Sequence, residues 1–379
     1  MERDPISTTP GVPTTSWLLT EQSPDGAATP FVARIASVGR RLPPTHLPTD
    51  ELMASTRHRT RVDLERLTGI RDRRVSAGDE DSLSLAVDAA RDCLSRAGRR
   101  AEDIDLVVSC SITKYRGGLV QWLEPTTALA VARAIGATGA TTFDLSNACA
   151  GTLSGVLVAN NWVRRGAIRR ALVVSGEYIS QLTNNAARHV RSIVSRELAS
   201  LTLGDAGGAV LVERAEEGQP GIMFAGFTTV ADHSRLCLAY PAHHHPGARM
   251  FTKSRAIQQV AIADTPALLR EALDAAGLRI DDIDHVIPHQ TSARAIRKGM
   301  AEMSDALGGA PRNPVVVTVD RYGNTASTTH VVALVEELEA GRVRPGDRVA
   351  LVALASGLEI GVVLFTVDEG LVACHDDAH

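Results

Sequence analysis

The sequence predicts an α/β fold built as two duplicated halves, each a mixed sheet covered by helices. Three observations carry that prediction. Ala97-Gly-Arg-Arg-Ala-Glu-Asp-Ile-Asp-Leu-Val-Val108 aligns with Ala276-Gly-Leu-Arg-Ile-Asp-Asp-Ile-Asp-His-Val-Ile287, each behind an amphipathic helical pattern. Gly166-Ala-Ile-Arg-Arg, then Ala171-Leu-Val-Val-Ser-Gly176, resembles Gly341-Arg-Val-Arg-Pro, then Ala350-Leu-Val-Ala-Leu-Ala-Ser-Gly357. Short pieces match by chance, but two matches in the same order point to a unit present twice. The third observation is Thr141-Thr-Phe-Asp-Leu-Ser-Asn-Ala-Cys-Ala-Gly151, a strand-like run that turns into the helical pattern Thr152 to Arg165.

Taken in order, residues 1 to about 30 are rich in Pro, Ser and Thr and read as a poorly ordered arm or a strand lying over the body. Phe31 to Val38 reads as the first strand, and Glu51 to Thr68 as a polar, partly helical stretch. Ser82 to Ala97 carries a helical apolar stripe that ends at Gly98, and Ile104 to Cys110 reads as a buried strand. The duplication divides the chain into an N-terminal half, 31–215, and a C-terminal half, 216–379.

Composition excludes several functions. A net charge of −4, with no basic stripe interleaved with aromatics, offers nothing to nucleic acid. Aromatics at 3% leave little for base stacking or sugar binding. No apolar run approaches a membrane span, and acids stand near the N-terminus where a signal peptide would be basic. The five cysteines (93, 110, 149, 237 and 374) show no paired spacing, which argues against disulfides or a zinc site and for a reducing cytoplasm.

Cys149 is the first candidate for chemistry. A cysteine at a strand-to-helix turn meets free helix N–H groups and the positive end of the helix dipole, which favour a thiolate. Ala148, Ala150 and Gly151 leave room around it. On its own, Cys149 fits a small buried apolar residue equally well. The duplication adds context. The strand end at Cys110 corresponds to Pro288-His289-Gln290, and Asp320-Arg-Tyr-Gly-Asn-Thr-Ala-Ser327 precedes the second half's equivalent helix, with Asn324 in the slot matching Cys149. Pseudo-twofold symmetry would then gather Cys149, His289 and Asn324 around one central point. Singly, His289 reads as a structural histidine and Asn324 as a turn residue beside Gly323.

Cys149 in NACAG, His289 in IPHQTSAR, Asn324 in YGNTAS and Gly204-Asp205-Ala-Gly-Gly208 resemble the motifs of β-ketoacyl-acyl-carrier-protein synthase III, a group of thiolase-fold condensing enzymes. The likeness runs from about Phe31 to Val367. It implies a thiolase fold of five αβαβα layers, a homodimer, acyl-coenzyme A or acyl-carrier-protein thioesters as substrates, and no metal or redox cofactor. Cys149 would accept the acyl group, and His289 and Asn324 would donate hydrogen bonds to the enolate of the second substrate. The acyl-transfer oxyanion would sit on the backbone N–H groups of Cys149 and Ser356. Arg294 matches a basic residue that contacts the nucleotide or the carrier protein.

Departures from the pattern bear on substrate. Where the group has Trp and Arg before its TGIRxR segment, Asp63 and Leu67 stand, so Arg66 or Arg71 would have to hold the coenzyme A nucleotide. The Gly-rich C-terminal loop is Ala355-Ser-Gly-Leu-Glu359. These changes point toward a specialised lipid or secondary-metabolite pathway. Glu124-Pro-Thr-Thr-Ala resembles a segment of enzymes that join two acyl thioesters head to head, where the glutamate reaches the partner subunit's site as a base; Glu124 equally suits a helix start with Pro125 at its first position. His243-His-His245 reads as an exposed loop, and the pairs Arg164/Arg165 and Arg169/Arg170 read as solvated, with carrier-protein docking as the alternative. The expected activity is Claisen condensation of acyl thioesters. Transfer of the Cys149 acyl group to a hydroxyl or amine, head-to-head condensation and a catalytically silent scaffold remain alternatives.

Overall fold

The computed structural model describes residues 30–376, so the arm at 1–29 lies outside the described residues. The first half comprises β1 (Ala33–Arg41), α1 (Thr49–Ser55), α2 (Leu64–Thr68), α3 (Ser82–Arg96), β2 (Leu106–Ser109), β3 (Tyr115–Arg116), β4 (Val120–Gln121), α4 (Thr127–Ile135), β5 (Thr141–Asp144), α5 (Gly151–Arg164), β6 (Arg170–Glu177), α6 (Ser180–Ala187) and β7 (Ala206–Arg214). The second comprises β8 (Ile222–Thr229), β9 (Cys237–Pro241), β10 (Ala248–Thr252), α7 (Ser254–Ala276), β11 (His285–Pro288), α8 (Ala293–Leu307), α9 (Val319–Tyr322), α10 (Thr329–Glu339), β12 (Arg348–Ala355), β13 (Glu359–Thr366) and α11 (Glu369–Asp376).

Local chemistry explains the principal elements. Asp81 accepts from Ser84 N at 2.8 Å while Ser84 Oγ accepts from Asp81 N at 2.8 Å, a reciprocal cap that starts α3. The α3 stripe Leu85, Ala86, Ala89, Ala90 and Cys93 is buried. Helices α5 and α10 lack a continuous polar face, and such helices end up between layers. The first strand starts two residues later than expected and runs on to Arg41, which pairs with Gly207.

The sheets are ordered β1-β7-β6-β2-β5 and β8-β13-β12-β11. Strand β2 lies parallel to both β6 and β5, and β11 lies parallel to β12; the other neighbouring pairs run antiparallel. The counterpart of β5 is the extended segment 315–317, where Val316 N donates to Val286 O at 3.1 Å. Strands of both sheets and helices α5 and α10 share one central core, while α3 and α4 cover the first sheet and α7 and α8 the second. Five layers, αβαβα, result. The repeated Ile-Asp has a structural reason. Asp105 Oδ2 accepts from Arg169 N and Arg170 N at 2.7 and 2.8 Å, and Asp284 Oδ2 accepts from Arg348 N at 2.8 Å. In both halves one aspartate fixes the start of the next parallel strand.

The symmetry also corrects two expectations. Helices α5 and α10 each follow a 3-10 turn, Ala148–Ala150 and Ala326–Thr328. Each turn opens on an alanine with positive φ, 43° at Ala148 and 54° at Ala326. Ser327 therefore occupies the position matching Cys149, and Asn324 stands three residues before it. At the other site, α4 is capped by Thr126, whose Oγ1 accepts from Leu129 N at 3.3 Å, so Pro125 lies before the helix and not at its first position.

Candidate active site

Cys149 sits in the tight turn ahead of α5, and small residues let that turn approach the sheet. A Cβ on Gly151 would lie 2.8 Å from Cys110 O, and one on Gly155 would lie 2.5 Å from Val173 Cγ1. Cys149 packs against the cluster Ile179, Leu182, Leu203 and Ala326. The thiolate expected from the helix end is not what the resting site favours. Burial pushes the Cys149 thiol up, with nearby Cys237 and Glu177 adding to the effect.

His289 follows β11, where its backbone N donates to Val352 O at 2.8 Å. Burial, with His330 beside it, holds its imidazole down at about 3, so the ring is neutral. Asn324 is fixed on three sides. Its N donates to Thr202 O at 2.8 Å, its O accepts from Gly204 N at 3.0 Å, and its Oδ1 accepts from Ala326 N at 2.9 Å. With Oδ1 engaged, the Nδ2 hydrogens remain for a bound molecule.

Cys149, His289, Asn324 and Ser356 line one cavity of about 1310 Å³. Ile179, Leu182, Leu203 and Met250 form one apolar wall, and Ile257, Ile262, Met300 and Met303, between α7 and α8, form another. The volume exceeds the ~300–1,000 Å³ usual for small-molecule sites and suits long alkyl chains. Beside it, a concavity of about 480 Å³ is lined by Arg61, Arg66, Arg191 and Arg294, together with Asp63 and Leu67, and holds no aromatic ring. Arg294 borders both cavities.

Two predicted site residues are not brought there. Arg71 donates to Asp320 Oδ2 at 2.8 Å and lines neither cavity, because the exposed ion pair draws its guanidinium away. Glu124 is exposed and lines neither cavity; it lies beside the exposed Trp122 and Leu123. Arg164, Arg165, Arg169 and Arg170 border neither cavity, and Arg170 pairs with Glu213 at 3.1 Å. His243 to His245 are exposed as expected, though β9 and β10 on either side supply Cys237, Ala239 and Met250 to the large cavity.

Two residues near the centre escaped sequence reasoning. Glu177 is fully buried and accepts from Ile112 N at 2.9 Å, Thr113 N at 3.2 Å, Thr113 Oγ1 at 3.1 Å, Ser175 Oγ at 3.2 Å and Ser327 Oγ. Burial raises its carboxyl to about 7 against those bonds. His330 is fully buried on α10, its ring centroid 6.0 Å from that of His289.

The profile described as 3-oxoacyl-[acyl-carrier-protein] synthase III matches residues 143–231, and that of its C-terminal domain matches residues 273–367. A β-ketoacyl-[acyl-carrier-protein] synthase III of Erythrobacter litoralis is 31% identical over 338 residues, covering 88% of this chain and 98% of the relative. One of Symbiobacterium thermophilum is 34% identical, covering 80% and 92% respectively. The chain belongs to the 3-oxoacyl-[acyl-carrier-protein] synthase III family. Structures agree with this assignment to synthase III and to the thiolase fold. The Aquifex aeolicus synthase III superposes with a TM-score of 0.75 at 26% identity, covering 88% of this chain and all of that one. Xanthomonas campestris OleA, solved with bound lauric acid and lauroyl-CoA, superposes at 0.77 with 26% identity, covering 89% and 99%. As a synthase III relative the chain is a condensing enzyme of the acyl-transferring class. Among the described residues, no helix is long and apolar enough to cross a membrane.

Proposed function

We propose that the protein condenses acyl thioesters through an acyl group held on Cys149, in a specialised lipid or secondary-metabolite pathway. The observation that carries this reading is the convergence of Cys149 from one half with His289 and Asn324 from the other on a single large apolar cavity. The Cys149 sulfur attacks the donor thioester, its C–S bond breaks, and the Cys149 proton leaves on the released thiol. Backbone N–H groups of Cys149 and Ser356 hold the intermediate oxyanion. A malonyl-type second substrate then loses CO2, and its enolate oxygen accepts from His289 Nε2 and Asn324 Nδ2. Enolate carbon attacks the acyl-Cys149 carbonyl, a C–C bond forms, and the cysteine sulfur departs. No step calls for a metal or redox cofactor.

The four arginines of the outer concavity suit the phosphates of coenzyme A or of a carrier protein's prosthetic arm. Edge strand β5 and the exposed Val120, Trp122, Leu123 and Leu129 support a homodimer. Head-to-head condensation is the second reading. It is favoured by the apolar walls on both sides of the centre and by an exposed Glu124 beside that surface, where it could serve the partner's site as a base. The experiment is intact-protein mass spectrometry after incubation with acyl-coenzyme A and acyl-carrier thioesters, chased with malonyl-carrier. A mass gain on Cys149 that malonyl discharges as a β-ketoacyl product with CO2 supports the first reading. Discharge only by a second acyl thioester moves the assignment to the second, and discharge only by an alcohol or amine to simple acyl transfer. Absence of loading by every donor overturns all three.

A further inference from the structure

One atom, the carbonyl oxygen of Val352 on β12, is bonded from two directions. His289 N reaches it at 2.8 Å as the last rung between β11 and β12. His330 Nε2 reaches it at 3.0 Å from α10 in the layer beneath. A carbonyl only accepts, so His330 Nε2 carries the hydrogen. The strand end that presents His289, the neighbouring strand and the central helix are thus joined at a single point. The His330 ring also lies behind His289, centroids 6.0 Å apart and planes inclined at 35°.

The fold contains its own comparison. Pseudo-twofold symmetry maps His289 onto Cys110, Val352 onto Val174 and His330 onto Thr152. Cys110 N donates to Val174 O at 2.7 Å, matching the His289 bond. Thr152 is equally buried, yet its Oγ1 has no partner, so nothing from α5 reaches the Val174 carbonyl. The second bond exists only in the half that carries the histidine. A sheet of this kind does not require it, since the first half lacks it.

We propose that His330 is a positioning residue for condensation, holding the His289 imidazole in place through the Val352 carbonyl and through ring packing. It touches no substrate, since it does not line the cavity. Its effect belongs to the step in which His289 faces the enolate, where a displacement of a fraction of an ångström weakens a preorganised donor. Loading of Cys149 relies on the backbone N–H groups of Cys149 and of Ser356, just past the end of β12, and does not use the His289 imidazole. Burial keeps both imidazoles neutral; nearby His330 adds to the effect on His289, while the bond to Val352 O opposes it at His330.

The inference rests on the role assigned to His289, so the test includes His289→Ala. Three variants are compared with the parent: His289→Ala, His330→Thr, which installs the residue the other half uses, and His330→Gln, whose amide N–H can restore the bond to Val352 O. Rates of Cys149 acyl loading, and kcat and KM for the second thioester, are measured separately. The expected result for His330→Thr is loading within about twofold of the parent, kcat for condensation down about tenfold and KM within about twofold, with His330→Gln recovering most of kcat. A His330→Thr enzyme that condenses at the parent rate overturns the inference, as does a parallel fall in loading and condensation, or a His330→Gln no better than His330→Thr. Should His289→Ala itself condense normally, the reading of His289 falls first, and the two failures stay distinct.

Discussion

Two opposing fields meet at Cys149. The start of α5 favours the thiolate, while an apolar surround and the Glu177 carboxylate disfavour it. Burial pushes the resting site toward the thiol. Glu177 is the part of this balance that mutation can reach. Glu177→Gln removes a negative charge and keeps the side chain's shape, so the thiol should ionise more readily. Alkylation of Cys149 by iodoacetamide at neutral pH should quicken about three- to tenfold, and an unchanged rate would show that Glu177 acts on folding alone. Asn324→Ala tests the opposite side of the cavity. It should leave acyl loading intact and lower condensation about 10²- to 10³-fold, the usual effect of removing one oxyanion donor; intact product formation would favour simple acyl transfer. Cys149, His289 and Asn324 were legible in the sequence because each stands in a short local motif. Glu177 and His330 were not. Their meaning lies in partners such as Ser327, 150 positions from Glu177, and Val352, 22 from His330, and a glutamate at a strand end or a histidine in a helix carries no local mark of either.

At the scale of elements, the closest packing in the first half lies beneath α3. Glycines on three strands admit the helix: a Cβ on Gly39 would lie 2.3 Å from Cys93 N, on Gly176 2.0 Å from Ser82 O, and on Gly207 2.0 Å from Leu85 O. These contacts are with backbone, which cannot turn aside as a side chain can. Gly207→Ala should therefore destabilise the protein by about 2–3 kcal/mol, seen as a lower urea midpoint. Gly139→Ala, with nothing within 4 Å of the added carbon, should change it by less than about 0.5 kcal/mol. Equal effects from the two would mean that the helix can move away from the sheet at little cost. The elements read from period and punctuation, among them β1, α3, β2 and α5, stand in the structure with ends displaced by a few residues. The β9–β10 hairpin was not, because β9 is largely exposed and shows no alternation. The slot opposite Cys149 was misread for a related reason. Its register is set by a positive φ at Ala326, and alanine gives no sign of one.

At the scale of the whole molecule, the two halves are joined by buried polar contacts as well as by the central core. Arg34 on β1 donates to Glu213 at 2.6 Å and to Asp368 near the C-terminus. Arg96 on α3 donates to His375 Nδ1 of α11 at 2.8 Å, which requires that imidazole to be neutral. Three buried histidines are held neutral in this way: His289 at about 3, and His330 and His375 at about 4, all chiefly through burial. The unfolded chain takes up a proton on each as pH falls through the ordinary value near 6.5, and the folded chain does not. The unfolded state then binds more protons, so stability declines as the solution is acidified below about pH 6.5. Glu177 works the other way. With its carboxyl raised to about 7, the folded state gains its proton first and is favoured between about pH 7 and the ordinary glutamate value. Three histidines against one glutamate leave a net two protons, a loss approaching ~2.7 kcal/mol per pH unit near pH 5. Below that, Glu336, held at about 2 although burial alone would raise it, by bonds from Tyr322, Arg40 and Arg321, adds a further loss as it is forced to protonate. The urea midpoint should thus be nearly level down to about pH 7 and fall steeply toward about pH 5, and His330→Thr should flatten that fall by removing one of the three histidines. A parent midpoint that holds constant across this range would show that the buried histidines reach solvent and protonate without unfolding, which would also remove the dry surroundings on which the role proposed for His289 depends.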